Sequence, residues 1–218
     1  MADLVHLLRE PDGSAQGALV LNHGRGSDER DLYGLLDELD PDRRLLGVTT
    51  GAPLTNVPPG GRHWYLVPRV GYPDPATFQA SYGRLAEFLD GLLADRGIGW
   101  DRTVIGGFSM GAVMSYAIAL GTGRPVPAGL VALSGFVPTV EGWEPELHGR
   151  AGIRAFIHHG TADPIISVEF ARRARALLES AGIEPDYLET DAGHWLPPEA
   201  VSRARTLVAS VTPTPAQD

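Results

Sequence analysis

Short apolar runs alternate with helix-like segments along most of the chain. The runs predict strands at 17–22, 45–50, 103–108, 129–133, 154–158 and 186–190. Segments whose apolar residues recur every three or four positions predict helices at 30–40, 78–92, 110–120, 167–181 and 198–210. Repeated strand-then-helix units indicate an α/β fold, with a mostly parallel sheet and helices on both faces. In such sheets ligands bind beyond the carboxyl ends of the strands.

Two stretches depart from this alternation. Apolar runs at 4–8 and 17–22 flank the turn signal Asp12-Gly13, and this arrangement predicts a β-hairpin. The stretch 51–75 contains six prolines and no helical period. We therefore expect a long surface loop there, of the kind that often carries function in a compact domain.

The composition excludes several kinds of chemistry. The 218 residues include no cysteine and no lysine, so all 18 basic residues are arginine. Without cysteine there are no disulfides, thiolate nucleophiles, iron–sulfur sites or zinc sites that need sulfur. Without lysine there is no Schiff base, no phosphate-binding P-loop and no kinase-type ATP site. Covalent catalysis would have to come from serine, threonine, histidine, tyrosine or a carboxylate.

Charge and hydropathy limit the partners. A net charge of −9 argues against binding to nucleic acid or to anionic membrane surfaces. The first residues are not typical of a signal peptide, and no run of 18 apolar residues predicts a membrane span. We expect a cytoplasmic protein with one domain over 1–210 and a flexible tail at 211–218. Its oligomeric state stays open, with a homodimer as one option.

A candidate nucleophile stands between a predicted strand and a predicted helix. The segment Gly107-Phe108-Ser109-Met110-Gly111 is a G-x-S-x-G motif at that junction. There the serine would sit on a tight turn at a helix N-terminus, where free amides favour a developing negative charge. The alternative is a glycine-rich turn with a capping serine, but the strand-before and helix-after context favours catalysis.

The same edge of the sheet should supply a base and an acid. A serine nucleophile needs a histidine to accept its proton and an acid to orient that histidine. On this type of sheet the chain order is serine, acid, histidine. His194 follows the last strand and is the predicted base, and Asp163 follows strand 154–158 and is the predicted acid. Asp191, three residues before the histidine, is the rival acid.

The loop after strand 17–22 should complete an oxyanion hole. We assign its two donors to the backbone amides of Arg25, which glycines flank, and Met110, which follows the nucleophile. His23 is expected to brace this loop. His158 and His159 are adjacent on a strand and should point to opposite faces, so we predict no metal site and no cofactor.

These segments together resemble the α/β-hydrolase superfamily and, within it, the phospholipase/carboxylesterase family that includes the acyl-protein thioesterases. The resemblance covers nearly the whole chain, from the strand at 17–22 to the helix at 198–210. The pieces that carry it are Asn22-His23-Gly24-Arg25-Gly26 with Asp31-Leu32, Arg62-His63-Trp64-Tyr65, Gly107-Phe108-Ser109-Met110-Gly111-Ala112, Leu133-Ser134-Gly135, His159-Gly160-Thr161-Ala162-Asp163-Pro164 and Gly193-His194.

The resemblance implies a compact serine esterase without a large cap domain, using Ser109, Asp163 and His194. Acyl-protein thioesterases usually carry an apolar residue where Arg25 stands, and a longer apolar loop where this chain has a proline-rich one with Arg62 and Arg69. These departures favour a carboxylesterase acting on small-molecule esters with short-to-medium acyl groups.

Three aromatic residues stand beside loops that should face the site. We expect Trp64, Phe136 and Trp195 to line the substrate pocket. The alternatives to a carboxylesterase are an acyl thioesterase, a lysophospholipase and, more remotely, a non-catalytic binding protein on a hydrolase scaffold. The last should have lost one of the three catalytic residues, whereas all three are present.

Overall fold

The computed structural model of the protein describes residues 4–211, and its centre is a single seven-stranded sheet. The strands are β1 (His6–Arg9), β2 (Ala18–Asn22), β3 (Leu46–Thr50), β4 (Thr103–Phe108), β5 (Gly129–Leu133), β6 (Arg154–Gly160) and β7 (Asp186–Thr190). Their order across the sheet is β1-β3-β2-β4-β5-β6-β7. Every neighbouring pair is parallel except β1 with β3.

Five α-helices cover the two faces of this sheet in the part of the chain that the structure describes. They are α1 (Tyr33–Leu39), α2 (Pro75–Asp95), α3 (Met110–Leu120), α4 (Glu169–Ser180) and α5 (Pro198–Val211), and a short 3-10 helix at Trp100–Arg102 precedes β4. Apolar side chains of α2, α3 and α4 form one core with one face of the sheet. Side chains of α1 and α5 form a second core on the opposite face. The prediction of a mostly parallel sheet with helices on both faces is confirmed.

The predicted N-terminal hairpin is wrong. Strand β1 pairs antiparallel with β3, with Leu8 opposite Val48, and it does not pair with β2. Strand β2 already has parallel neighbours on both sides, β3 and β4, so it offers no free edge to β1. A buried side chain helps to hold β1 in place, since the Arg9 guanidinium donates to Leu36 O and contacts the carboxylate of Asp40 at the end of α1.

The connections at the carboxyl ends of the strands include the two longest loops. One runs from β3 to α2 through the proline-rich stretch, and the other runs from β5 to β6. Among the described residues, no separate cap domain lies over the sheet, and no helix is long and apolar enough to cross a membrane. Of the predicted tail at 211–218, Val211 ends α5, and the remainder lies outside the described residues.

Candidate active site

Ser109 occupies a sharp turn between β4 and α3. Its backbone has φ +55° and ψ −119°, a left-handed conformation that costs a non-glycine residue energy. The residue is 7% exposed and lines the cavity at the top of the turn. The two motif glycines make the turn feasible. A Cβ on Gly107 would lie 2.6 Å from the carbonyl oxygen of Asn22, and one on Gly111 would collide with that same carbonyl. The absence of a side chain at both glycines therefore allows the turn to pack closely against β2.

Neighbouring strands hold this turn in place. The Ser109 amide donates to Leu133 O at the end of β5, at 2.8 Å. On the other side, the buried Asn22 side chain donates to Ser115 Oγ of α3 at 2.9 Å and accepts from Thr50 Oγ1 at 2.5 Å. The turn is thus fixed from both adjacent strands, which positions the Ser109 hydroxyl rigidly.

His194 lies in the loop after β7, and its ring reaches the serine. Its Nε2 is 2.9 Å from Ser109 Oγ, and the ring packs against Phe108 with 4.8 Å between the centroids. The loop packs closely against the end of β6. Even a Cβ on Gly160 would collide with the carbonyl oxygens of Ala192 and Gly193. The predicted base and nucleophile are therefore within hydrogen-bond distance.

Asp163 completes the chain of contacts. Its Oδ2 accepts a hydrogen bond from His194 Nδ1 at 2.6 Å, and its Oδ1 accepts from the amides of Ile165 and Ile166 at 2.8 and 2.9 Å. The carboxylate is fully buried, and burial by itself would raise its pKa. The hydrogen bonds from Ile166, His194 and Ile165 outweigh that effect and hold the pKa below the usual value for aspartate. Asp191, the rival acid, is exposed on the surface.

The two adjacent histidines of β6 face opposite sides, as predicted. His159 is fully buried, donates from Nε2 to Ile166 O at 2.8 Å and lies 3.4 Å from Asp163 Oδ2. His158 has its Nε2 3.0 Å from Thr190 Oγ1, and burial lowers its pKa to about 4. Among the described residues, no three or more histidine and acidic side chains cluster so that they could hold a metal ion.

Arg25 and Met110, whose amides are the predicted oxyanion donors, both line the cavity above Ser109. In the described part of the chain, neither amide donates to a protein acceptor, so both are available to a ligand. The Arg25 side chain itself is exposed and turns toward the proline-rich loop, where it donates to Pro58 O at 3.3 Å. Neither of the other two arginines noted for that loop, Arg62 and Arg69, lines the cavity.

His23 braces the loop that carries Arg25. Its Nε2 accepts from the Ala52 amide at 3.0 Å, so its Nδ1 carries the proton and donates to Gly24 O at 2.6 Å. Burial lowers the pKa of this histidine and favours the neutral ring that these two contacts need. Trp64 also contributes, because its indole nitrogen donates to His23 O at 3.0 Å.

A cavity of about 360 Å³ opens above Ser109 and His194. Of the three aromatic residues expected to line it, only Phe136 does so. Trp64 is fully buried beneath the Arg25 loop, where its indole N–H is engaged, and Trp195 is 54% exposed outside the cavity. The other apolar residues that line the cavity are Tyr65, Val67, Val70, Phe108, Met110, Ile165 and Ile166.

The sequence interpretation missed most of this apolar lining. Ile165 and Ile166 follow Asp163 closely, so their position next to the acid was a signal that could have been used. Tyr65, Val67 and Val70 lie in the proline-rich loop, where no period shows which side chains turn inward.

Comparison with known proteins identifies the family of this chain. The sequence pattern of the Phospholipase/Carboxylesterase family matches residues 6–211. The chain is 28% identical over 187 residues to acyl-protein thioesterase 1 of Debaryomyces hansenii, covering 78% of this chain and 79% of that protein. It is 29% identical over 196 residues to an esterase of Escherichia coli, covering 86% and 80%.

Solved structures show the same fold. The carboxylesterase of Bacillus cereus superposes with a TM-score of 0.84 at 24% identity, covering 96% of this chain and 95% of that one. A carboxylesterase from Mesorhizobium loti gives 0.81 at 21% identity, covering 94% of both. The chain therefore belongs to the phospholipase/carboxylesterase family of serine hydrolases, with the α/β-hydrolase fold.

Proposed function

We propose that the protein is a serine carboxylesterase that hydrolyses small-molecule esters with short-to-medium acyl groups. The observation that supports this proposal best is the continuous line of contacts from Ser109 Oγ through the His194 ring to Asp163, at 2.9 and 2.6 Å. This line opens onto an apolar cavity of about 360 Å³, near the lower end of the roughly 300–1,000 Å³ range of ligand pockets.

The proton positions follow from the buried acid. Asp163 is ionised and accepts from His194 Nδ1, so the neutral ring carries its proton on Nδ1 and presents a lone pair at Nε2. The Ser109 hydroxyl donates to that lone pair. When Ser109 Oγ attacks the ester carbonyl, Nε2 takes the hydroxyl proton, and the positive ring is stabilised by the carboxylate 2.6 Å away.

The remaining steps use the same groups. The carbonyl oxygen becomes negative in the tetrahedral intermediate and lies between the unpaired amides of Arg25 and Met110. His194 then gives its proton to the leaving alcohol, and an acyl group remains on Ser109. Water attacks this acyl-enzyme with His194 again as base, which releases the acid and restores the serine.

Acyl thioesterase activity is the second candidate. Several relatives carry the name acyl-protein thioesterase, and the same serine, base and amides would serve a thioester carbonyl. The small apolar cavity favours small acyl groups over long protein-linked ones. Parallel measurement of kcat/KM on a butyryl ester and a butyryl thioester decides between the two activities.

The proposal is tested with Ser109→Ala and an active-site probe. We expect the variant to fold normally and to lose p-nitrophenyl butyrate turnover by several powers of ten, because the nucleophile is gone. A fluorophosphonate should add to the wild type at Ser109 and fail to label the variant. Turnover that survives the substitution would mean that the nucleophile is assigned wrongly.

A further inference from the structure

The cavity above Ser109 ends at a thin wall, and a larger groove begins behind it. The groove measures about 810 Å³ and lies between α4, the start of α2 and the loop after β5. Phe136 lines both spaces, and its ring contacts that of Phe170 with 5.1 Å between the centroids. The two spaces are thus separated by one layer of side chains.

Two other chain segments cross the same boundary. Val70 lines the cavity, and the next residue, Gly71, lines the groove. Ile166 lines the cavity, whereas Phe170, four residues later, lines the groove. Phe170 packs so closely on Gly71 that a Cβ there would lie 2.5 Å from the ring. The boundary between the two spaces is therefore continuous over three segments, with the two phenylalanine rings in contact within it.

The proposed chemistry indicates which part of the substrate meets this wall. The leaving alcohol takes its proton from His194, so it lies on the side of the site where that ring stands. The ring rests on Phe108, which packs with the core formed by α1 and α5. Phe136 and Phe170 belong to the opposite core, with α2 and α4. The acyl group, which extends away from the leaving alcohol, therefore points toward Phe136.

We infer that Phe136, supported by Phe170, is the end wall of the acyl site and sets the upper acyl length, with the groove as the space that longer chains would enter if the wall were removed. This inference rests on the proposed ester hydrolysis and adds the structural feature that limits the length of the acyl group. The groove presents apolar side chains to such a chain, among them Val137, Val140 and Leu177.

The test compares acyl chain-length profiles on p-nitrophenyl esters from acetate to dodecanoate. In Phe136→Ala, the ratio of kcat/KM for dodecanoate to that for butyrate should rise at least tenfold. Burial of each further methylene is worth about a factor of four, so three methylenes in the groove suffice for this rise. Phe170→Ala, at a half-buried position, should shift the ratio in the same direction and gives the answer if Phe136→Ala fails to fold.

Two further variants distinguish the effect of removing the wall from the effect of a general loosening of the core. Phe88 is 4% exposed, as is Phe136, but it lies in α2 and lines neither space, so Phe88→Ala should leave the profile unchanged. In the Phe136→Ala background, Leu177→Trp should fill the groove and bring the ratio back toward the wild-type value.

Three results would overturn the inference: unchanged profiles in folded Phe136→Ala or Phe170→Ala, an equal shift in Phe88→Ala, or a gain that Leu177→Trp does not reduce. Failure of the proposed function looks different, because butyrate turnover would then survive Ser109→Ala whatever the chain-length profile.

Discussion

Replacing Asp163 with asparagine tests the line of contacts through His194 with almost no change in shape. The amide oxygen of the new side chain would keep accepting from the amides of Ile165 and Ile166, which now bond Asp163 Oδ1. Its NH₂ group would then face His194 Nδ1, where the Oδ2 of the carboxylate now accepts at 2.6 Å. Two N–H groups cannot face each other at that distance, so Nδ1 must lose its proton.

The consequence for activity follows from the tautomer. With Nδ1 deprotonated, the neutral ring carries its proton on Nε2 and presents an N–H to Ser109, so it cannot accept the hydroxyl proton. The negative charge that stabilises the protonated ring in the transition state is also gone. Wrong-tautomer substitutions of this kind lower kcat about 10⁴-fold in serine proteases. We expect a loss of about 10³–10⁴-fold, or roughly 4–5.5 kcal/mol in activation free energy.

The assay is kcat for p-nitrophenyl butyrate at neutral pH, with Asp191→Asn as the matched control. Asp191 lies three residues before His194 and is exposed, so its amide variant should keep kcat within about twofold of the wild type. Circular dichroism and thermal unfolding would verify that both variants are folded. If Asp163→Asn kept its activity while Asp191→Asn lost it, the acid would be Asp191 and the order of contacts argued above would be wrong.

The same substitution has a consequence for stability against pH. The pKa of Asp163 is lowered in the folded protein, so the carboxylate stabilises the fold above its unfolded pKa, near 3.8. That stabilisation is lost as the pH falls below 3.8 and through the lower folded-state pKa. Asp163→Asn should therefore show a smaller decrease in the free energy of unfolding between pH 5 and pH 3 than the wild type. An equal decrease in the free energy of unfolding for the two proteins over this pH range would contradict a lowered pKa of Asp163 in the folded protein.

Three more predictions follow from contacts around the site and in the fold. His159→Leu removes the donor to the buried Ile166 O and should lower kcat, whereas His159→Gln, which keeps an N–H, should restore much of the activity. Gly111→Ala places a Cβ against the Asn22 carbonyl and should lower both Tm and esterase activity, while an unchanged Tm would contradict the packing argument. Arg9→Met removes the guanidinium that lies closest to the buried Asp40 carboxylate, with Arg44 Nε left 4.0 Å away, and should cost about 3 kcal/mol in urea unfolding, whereas a loss below about 1 kcal/mol would refute this.

Local patterns predicted most of the sheet because buried parallel strands are short continuous apolar runs. The strand at 103–108 and the helix at 110–120 match β4 and α3 residue for residue. The hairpin prediction failed because strand pairing is decided by competition among distant segments. The turn signal at Asp12-Gly13 is local and carries no information about β3 and β4, which pair with both edges of β2.

The residues proposed for catalysis were predictable for a different reason than the residues around the substrate. Ser109, Asp163 and His194 each stand just after a strand, and parallel strands bring those positions together at one edge of the sheet whatever the loops do. Trp64 illustrates the opposite case. Its place in a loop near the site suggested a pocket wall, but its indole N–H lies beneath the Arg25 loop and donates to His23 O.

The cavity wall depends on contacts between segments that are far apart in the sequence, and this explains why only Phe136 was found in advance. Phe136 closely follows β5, as the catalytic residues follow their strands, so its position at the edge of the sheet was predictable. Its ring contact, Phe170, lies on α4 and faces the wall only because that helix packs on the same core. Catalysis can therefore be inferred from strand ends, whereas acyl-length selection requires the packing of α2 and α4 against the loop after β5.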